Sequence, residues 1–356
     1  MESWPASTIV AVAGAAGGIV LGLAARLGRF CTLAAIEDAM YGGNTRRLRM
    51  WALAMAVAII GVALSAQFGA INLSKTLYHG LPFNPLAWVL GGVLFGVGMA
   101  FCGTCAFGTL VRIGGGDLRA LFVSLILAIS AYMAVAGPTA ELRLSLLNPL
   151  AIGGDDFPRT LVQLTPYLAP LTWPIVIAVA LVAWSISSAT FRRSRRLIGW
   201  SVAAGLTILA GWLSTAILGA DPFDPQPVAS HTYSVPLGQT LLFVMAMSST
   251  SLTFGIGATL GVVVGAFLGA TIRREFRWEA ADDAHEMRRH LVGAFLMGTG
   301  GVFAGGCTIG QGLSAASVLA LSTPVVLISI WVGVWLGLTY LMEGSVIGAV
   351  RHFARR

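Results

Sequence analysis

The chain has 356 residues, of which 56% are hydrophobic and 10% are charged. A soluble domain carries roughly 25% charged residues, so this composition excludes an ordinary soluble protein and predicts a polytopic membrane protein in a lipid bilayer. A net charge of +7 would suggest nucleic acid in a soluble protein, but here the basic residues form short clusters between apolar runs. We therefore interpret them as topology signals and expect no nucleic-acid partner.

Nine apolar runs follow one another and predict an all-α protein with about nine transmembrane helices. The run at 238–270 is too long for one straight helix and is rich in glycine, so we expect a helix plus a re-entrant or tilted piece there. The runs lie near 8–27, 50–68, 87–111, 118–137, 169–190, 197–219, 238–270, 291–313 and 323–343.

Arginine-rich clusters alternate with Arg-poor connections along these runs. The clusters lie at 46–49, 112–119, 192–196, 273–289 and 351–356, and the Arg-poor connections at 69–86, 138–168 and 220–237. The positive-inside rule places the clusters in the cytoplasm. Nine spans then predict an outside N-terminus and a cytoplasmic C-terminus. His79 and His231 fall in predicted outer loops, where we expect solvated side chains.

A glycine-and-cysteine segment occurs twice, at 91–108 and at 293–310. At an offset of 202 (307 − 105), Cys105 matches Cys307, and the flanking glycines and one phenylalanine match as well. Under the predicted topology the two copies run in opposite directions. The chain is therefore expected to contain two inverted-topology repeats with the substrate site between them.

A weaker match pairs Gly18 and Gly22 with Gly261 and Gly265, sets Cys31 opposite Arg274, and is interpreted as the same symmetry. We expect one integral membrane domain in three parts. These are a first repeat half over 1–137, an outer loop with a connecting helix and a basic cytoplasmic linker over 138–196, and a second repeat half over 197–356.

Cysteine and glycine together indicate a weak anion path. Gly103 and Gly306 flank the matched cysteines and weaken the helix, which frees backbone N–H groups to bind an anion at a half-helix N-terminus. A thiol is a weak donor with a polarizable sulfur, so it suits a soft sulfur-bearing anion and releases it readily. Simple helix packing remains the alternative for any one of these small residues.

Neighbouring polar residues are candidate donors to the oxygens of such an anion. They are Thr104, Thr308 and Gln311, for which helix capping or interhelical bonding is the alternative. Cys102 and Cys105 form a CxxC, which leaves open a membrane thiol–disulfide or sulfur-transfer enzyme. A metal site needs about four ligands and no histidine lies nearby in sequence, so no metal or other cofactor is expected.

Three blocks of the chain resemble the YeeE/YedE sulfur-transport family: CGTCAFGTLVRIGGGD at 102–117, GVVVGAFLGATIRREFRW at 261–278 and GGCTIGQGLSAAS at 305–317. The resemblance implies an inverted-repeat bundle of about nine helices with re-entrant half-helices in the bacterial inner membrane. It also implies that Cys31, Cys105 and Cys307 line a central path, with Cys102 accessory.

The leading hypothesis from this resemblance is an importer, and not an enzyme, that carries a small sulfur-containing anion, most simply thiosulfate. The family also suggests a small cytoplasmic sulfurtransferase as the partner that receives the sulfur. The alternatives are the thiol–disulfide enzyme and an accessory subunit of another transporter.

Overall fold

The structure is a computed structural model that describes residues 5–153, 157–222, 224–280 and 284–344. Within these ranges the chain is helical, and its only β-type contacts are isolated bridges. The predicted basic cluster at 351–356 lies outside the described residues. The helices are α1 Ala6–Gly28, α2 Thr32–Met40, α3 Arg46–Gln67, α4 Leu77–Gly80, α5 Pro85–Cys102, α6 Ala106–Gly114, α7 Leu118–Ala136, α8 Pro138–Leu142, α9 Leu161–Leu164, α10 Thr172–Ile186, α11 Ala189–Arg192, α12 Arg195–Leu218, α13 Ser234–Met245, α14 Phe254–Ile272, α15 Ala284–Phe303 and α16 Ser322–Glu343.

The chain is an all-α polytopic membrane protein, which confirms the class predicted from composition. In the described ranges, seven segments are long and apolar enough to cross a membrane. They are Ala6–Met40, Arg46–Gln67, Pro85–Gly114, Leu118–Ala136, Arg195–Leu218, Phe254–Ile272 and Ser322–Glu343. Two shorter apolar helices, α10 and α13, lie among them. The total of nine spans remains a prediction.

The long apolar run at 238–270 is two helices, as its length predicted. The break covers 246–253, between α13 and α14, and contains a Ser/Thr-rich stretch. Ser and Thr side chains compete with the helix for backbone hydrogen bonds, and Thr253 then caps α14 by accepting from Ile256 N at 3.4 Å. The glycines of this run do not cause the break, because Gly238 lies inside α13 and the others lie inside α14.

Helices α5 and α15 pack antiparallel along the two glycine-rich copies. A Cβ on Gly98 would lie 2.5 Å from the carbonyl oxygen of Gly293, and a Cβ on Gly300 would lie 2.7 Å from that of Gly91. These two contacts exchange when the copies are exchanged at the offset of 202. The absence of side chains therefore lets the backbones touch at two corresponding points.

The weaker match between Gly18/Gly22 and Gly261/Gly265 was interpreted wrongly. Residue numbers rise together across this contact: Gly18 faces Ala258 and Val262, and Gly22 faces Val262 and Ala266. Helices α1 and α14 therefore run parallel, whereas an axis in the membrane plane would make counterparts antiparallel. The glycines match because both helices need small residues in one shared seam.

The Arg-poor connections contact one another at one end of the bundle, and the Arg-rich connections contact one another at the other end. Among the Arg-poor connections, Thr76 bridges Val228, and Ile152 N donates to Phe83 O at 2.8 Å. Among the Arg-rich ones, Leu118 N donates to Glu279 O at 2.9 Å, and Glu279 N donates to Gly116 O at 3.1 Å. The sequence clusters thus correspond to two distinct faces, here called the Arg-poor face and the Arg-rich face.

Candidate functional site

The first cysteine turn joins α5 to α6. Gly103 ends α5 in the left-handed region with φ 63°, a conformation that suits glycine because it has no Cβ. Cys105 then takes the N-cap position of α6, and its Sγ accepts a hydrogen bond from Gly108 N at 3.4 Å. The turn therefore aims a thiol and the first N–H groups of a short helix at the same place.

The second cysteine turn repeats this construction. Gly305 has φ 70°, Cys307 follows two residues later, and a half-helix runs over 308–317 with a π-helical portion at Gly310–Ala315. Cys307 Sγ accepts from Gly310 N at 3.5 Å, just as Cys105 Sγ accepts from Gly108 N. The backbone bonds inside the two turns also correspond at the offset of 202.

Cys31 starts a third short helix. It is the N-cap residue of α2, with an extended backbone and a half-buried side chain. At the same offset of 202, its counterpart is Tyr233, the N-cap residue of α13. The backbone N–H of Tyr233 donates to Cys307 Sγ at 3.3 Å. Sequence reasoning missed Tyr233, because the two residue types are unlike and only the constant offset links them.

One hydroxyl lies among the three thiols. Thr308 accepts a hydrogen bond from the Thr32 hydroxyl at 3.2 Å, so the start of α2 touches the start of the second half-helix. The Thr308 side chain also interacts with the Cys105 thiol, and Cys105 lies within electrostatic range of Cys31 and Cys307. The predicted residues Cys31, Cys105, Cys307 and Thr308 thus form one cluster, here called the thiol cluster.

The other predicted donors surround this cluster in different ways. Thr104 is buried beside the first turn of α6, where its hydroxyl occupies the space left open at Gly108. Gly306 N donates to Gly301 O at 2.8 Å. Gln311 is fully buried, donates to Ala304 O at 2.8 Å and accepts from the Ser322 hydroxyl at 3.1 Å. Its amide therefore braces the second turn.

Cys102 lies apart from the thiol cluster although it is only three residues from Cys105. Its thiol is buried and donates to the carbonyl oxygen of His290 on α15 at 3.3 Å. All four cysteines are free. The described residues include no group of three or more His, Cys, Asp or Glu side chains suited to a metal ion.

His231 is not the solvated loop residue that the sequence suggested. Its side chain is 1% exposed and packs 4.9 Å from the Phe254 ring, and a Cβ on Gly17 would lie 2.4 Å from Nε2. Nδ1 lies 3.3 Å from the Tyr233 hydroxyl. The connection before α13 thus folds into the bundle, because glycines leave space for an imidazole there.

His79, by contrast, stays near the Arg-poor face. It is half-buried, its Nδ1 lies 2.8 Å from the Thr76 hydroxyl, and partial burial lowers its pKa. The solvated state that we expected is therefore only partly correct for this residue.

Each of the two faces has one cleft that contacts a segment described above. The cleft on the Arg-poor face has a volume of about 590 Å³ and is lined by His79, Thr160 and Ser317, among others. The cleft on the Arg-rich face has a volume of about 470 Å³ and reaches Cys102 and Gly103. The Arg-rich cleft reaches the first cysteine turn, since Gly103 lies two residues before Cys105. The Arg-poor cleft reaches Ser317, the last residue of the second half-helix, at the end away from Cys307.

Comparisons with known proteins relate the chain to transporters. Two relatives named Thiosulfate transporter TsuA are each 26% identical to the chain. The protein from Escherichia coli (strain K12) aligns over 92% of this chain and 90% of its own length. That from Spirochaeta thermophila (strain ATCC 700085 / DSM 6578 / Z-1203) aligns over 89% and 95%. The family described as Sulphur transport matches residues 27–336. Since that match spans most of the chain, this protein is a member of the sulphur transport family, a family of transporters and not of enzymes.

Proposed function

We propose that the chain imports thiosulfate across the bacterial inner membrane through the thiol cluster. The observation that carries the proposal is the meeting of Cys31, Cys105 and Cys307 at the starts of three short helices. Two independent features make this place suit a soft anion. The N-terminal N–H groups attract negative charge, and the thiols make weak contacts to sulfur or oxygen.

The residues of this cluster favour weak binding of the anion. The cluster itself contains thiols, hydroxyls and backbone N–H groups and no lysine or arginine, so the dianion meets donors but no full countercharge. Cys105 and Cys307 are 1% and 0% exposed, which means that the cysteine turns must move for an ion to pass. Weak successive sites and small movements favour release over retention.

The inverted repeat and the orientation belong to the same proposal. The exchanged glycine contacts of α5 and α15 and the two matched cysteine turns support an axis in the membrane plane. The Arg-rich face is then cytoplasmic, with the N-terminus outside, and the ion moves from the Arg-poor cleft to the Arg-rich cleft. A small cytoplasmic sulfurtransferase as the receiver stays a prediction from the family resemblance.

The test is uptake of ³⁵S-thiosulfate by cells that lack other sulfate and thiosulfate importers. We expect uptake with the wild-type chain and its loss with Cys31→Ala, Cys105→Ala or Cys307→Ala at equal expression. Cys102→Ala is the matched control, because Cys102 is buried but bonds His290 O outside the cluster, and it should retain uptake. Uptake that survives in the Cys105 and Cys307 variants contradicts the proposal.

The thiol–disulfide alternative finds no support in the geometry. Cys102 bonds a carbonyl of α15, whereas the Cys105 thiol contacts Gly108 N and Thr308. A working dithiol needs both sulfurs to face one another or a common partner, and these two have separate partners. If Cys102→Ala abolished uptake as fully as Cys105→Ala, this alternative would regain its place.

A further inference from the structure

The cleft on the Arg-rich face holds charged groups that the thiol cluster does not use. Four carboxylates line it, and each has an arginine within 3.9 Å. The pairs are Asp117 with Arg119, Glu275 with Arg273, Glu279 with Arg119, and Glu286 with Arg119 and Arg289. Arg119 is shared by three of them, so the four carboxylates pair with three arginines in all.

Two arginines of the same cleft are bonded differently. Arg26 Nη2 donates to the carbonyl oxygen of Val111 at 3.0 Å, and Arg112 Nη2 donates to that of Gly103 at 2.6 Å. In the part of the chain that the structure describes, neither forms an ion pair with a carboxylate. A carbonyl satisfies a donor without neutralising it, so neither guanidinium has a countercharge in direct contact. Carboxylates act on both from beyond ion-pair distance, chiefly Glu275 on Arg26 and Glu37 on Arg112.

The position of Arg26 shows that space is kept for its side chain. A Cβ on Gly115 would lie 1.5 Å from Arg26 Nη2, so any side chain there would displace the guanidinium from its present position. The Nε of Arg26 is buried and has no hydrogen-bond partner among the described residues. An unpaired buried N–H on a cation is costly, and an oxyanion oxygen is the partner that best satisfies it.

Arg112 connects this cleft to the first cysteine turn. Its acceptor, Gly103 O, belongs to the left-handed residue two positions before Cys105. An anion that binds the Arg112 guanidinium would compete with Gly103 O for the Nη2 hydrogen bond. Loss of that bond would loosen the turn that holds the Cys105 thiol. The same arginine therefore contacts both the thiol path and the open cleft.

We propose that Arg26 and Arg112 form a second anion site, at the Arg-rich end of the path, that takes a small dianionic oxyanion such as thiosulfate or sulfate. The site recognises charge and oxygen geometry, so it accepts both ions, whereas the thiol cluster selects for sulfur. Its role as an exit site rests on the proposed function, but its binding does not. In transit, the ion leaves the weak thiol contacts for two guanidinium groups next to the cytoplasm.

The experiment measures binding without the thiol path. The full chain with Cys31→Ser, Cys105→Ser and Cys307→Ser is purified in detergent, and ³⁵S-thiosulfate binding is measured by equilibrium dialysis at low ionic strength. We expect saturable binding that Arg26→Gln or Arg112→Gln weakens by about 10-fold, from the loss of a charged hydrogen bond. Unlabelled sulfate should compete within about 3-fold of thiosulfate, because guanidinium groups read charge.

Two further variants separate charge from folding. Arg196→Gln removes an exposed arginine that does not line this cleft and should leave binding unchanged. Arg112→Lys keeps the charge but not the fork of donors and should restore part of the affinity. Absence of saturable binding, or equal binding with Gln at Arg26 and Arg112, overturns the site. Arginine-dependent binding by a wild-type chain that shows no uptake would instead refute the proposed function and leave this site standing.

Discussion

The two cysteine turns share one backbone design but lie in different surroundings. In the first, Cys105 Sγ has one backbone donor, Gly108 N, and the turn opens at Gly103 O toward an arginine in a cleft. In the second, Cys307 Sγ has two backbone donors, Gly310 N and Tyr233 N, and the half-helix behind it is buried. The residues that match between the two copies therefore specify the shape of the turn. The surrounding residues that do not match decide how many hydrogen bonds hold each thiol.

Matched substitutions in the shared seam should have equal and large effects. Gly98→Ala and Gly300→Ala each place a Cβ within 2.5 to 2.6 Å of backbone atoms of the facing helix, so α5 and α15 must separate. Overpacking of this kind costs about 1–3 kcal/mol. We expect similar drops in the melting temperature of the purified chain.

The control for the seam is Gly199→Ala in α12, where a Cβ meets nothing within 4 Å. It should be neutral or slightly stabilising, because alanine favours a helix over glycine by up to about 1 kcal/mol. A large effect at only one of the two seam positions would show that the copies do not pack as counterparts.

Gln311 and Thr109 occupy corresponding positions, at the offset of 202, but should differ in importance. Gln311→Leu leaves Ala304 O and the Ser322 hydroxyl without their partner, at about 1–3 kcal/mol for each buried group. Thr109→Val loses only a bond to Ala106 O in its own helix, worth about 1 kcal/mol. Uptake and melting temperature should both fall more for Gln311→Leu than for Thr109→Val. Equal losses in the two variants would contradict the proposal that the Gln311 amide braces the second turn.

The two left-handed glycines give a finer comparison. Alanine at Gly103 or Gly305 meets the same backbone strain, about 1–2 kcal/mol. At Gly305 a Cβ also comes within 3.1 Å of Leu81 and 3.2 Å of Gln311, whereas at Gly103 it only approaches Arg112 at 3.6 Å. Gly305→Ala should therefore reduce uptake more than Gly103→Ala. Asparagine at Gly103, which tolerates this backbone region, should preserve uptake, and its failure would argue against strain as the cause.

The smallest effect is expected where a thiol keeps its backbone donor. Tyr233→Phe removes the hydroxyl near His231 but retains the N–H to Cys307, so uptake should stay close to wild type.

Thr308→Val removes the contacts to Thr32 and Cys105 and should lower uptake about 5-fold, the equivalent of about 1 kcal/mol. If Tyr233→Phe lowered uptake more than Thr308→Val, the second cysteine turn would depend on the Tyr233 hydroxyl and not on the Tyr233 backbone N–H.

Local chemistry predicted a substantial part of this arrangement. The repeated Gly–Cys segment identified both cysteine turns, because a left-handed turn needs glycine and the turn then fixes the next cysteine. Composition identified the membrane class, and the excess length of 238–270 required two helices. In each case the determining residues are close together in the sequence.

What the sequence did not reveal depends on distant packing. His231 is buried because Gly17 on α1 leaves space for its ring, and no local pattern reports that contact. Gly18 and Gly261 were wrongly assigned to the repeat symmetry. Small residues recur wherever helices pack closely, so two such positions can match without being counterparts. That Arg26 and Arg112 form no direct ion pair becomes visible only once the carboxylates around them are seen to pair with other arginines.

A cysteine is an unusual start for a helix, and this choice has a consequence for the ion itself. The N–H···S bonds to Cys105 and Cys307 measure 3.4 and 3.5 Å, and sulfur accepts far more weakly than the oxygen of serine or aspartate. Each short helix therefore begins with a cap that is easily displaced. An oxyanion bound there would complete the helix better than the protein does, so that during its passage the cargo serves briefly as a structural part of its own carrier.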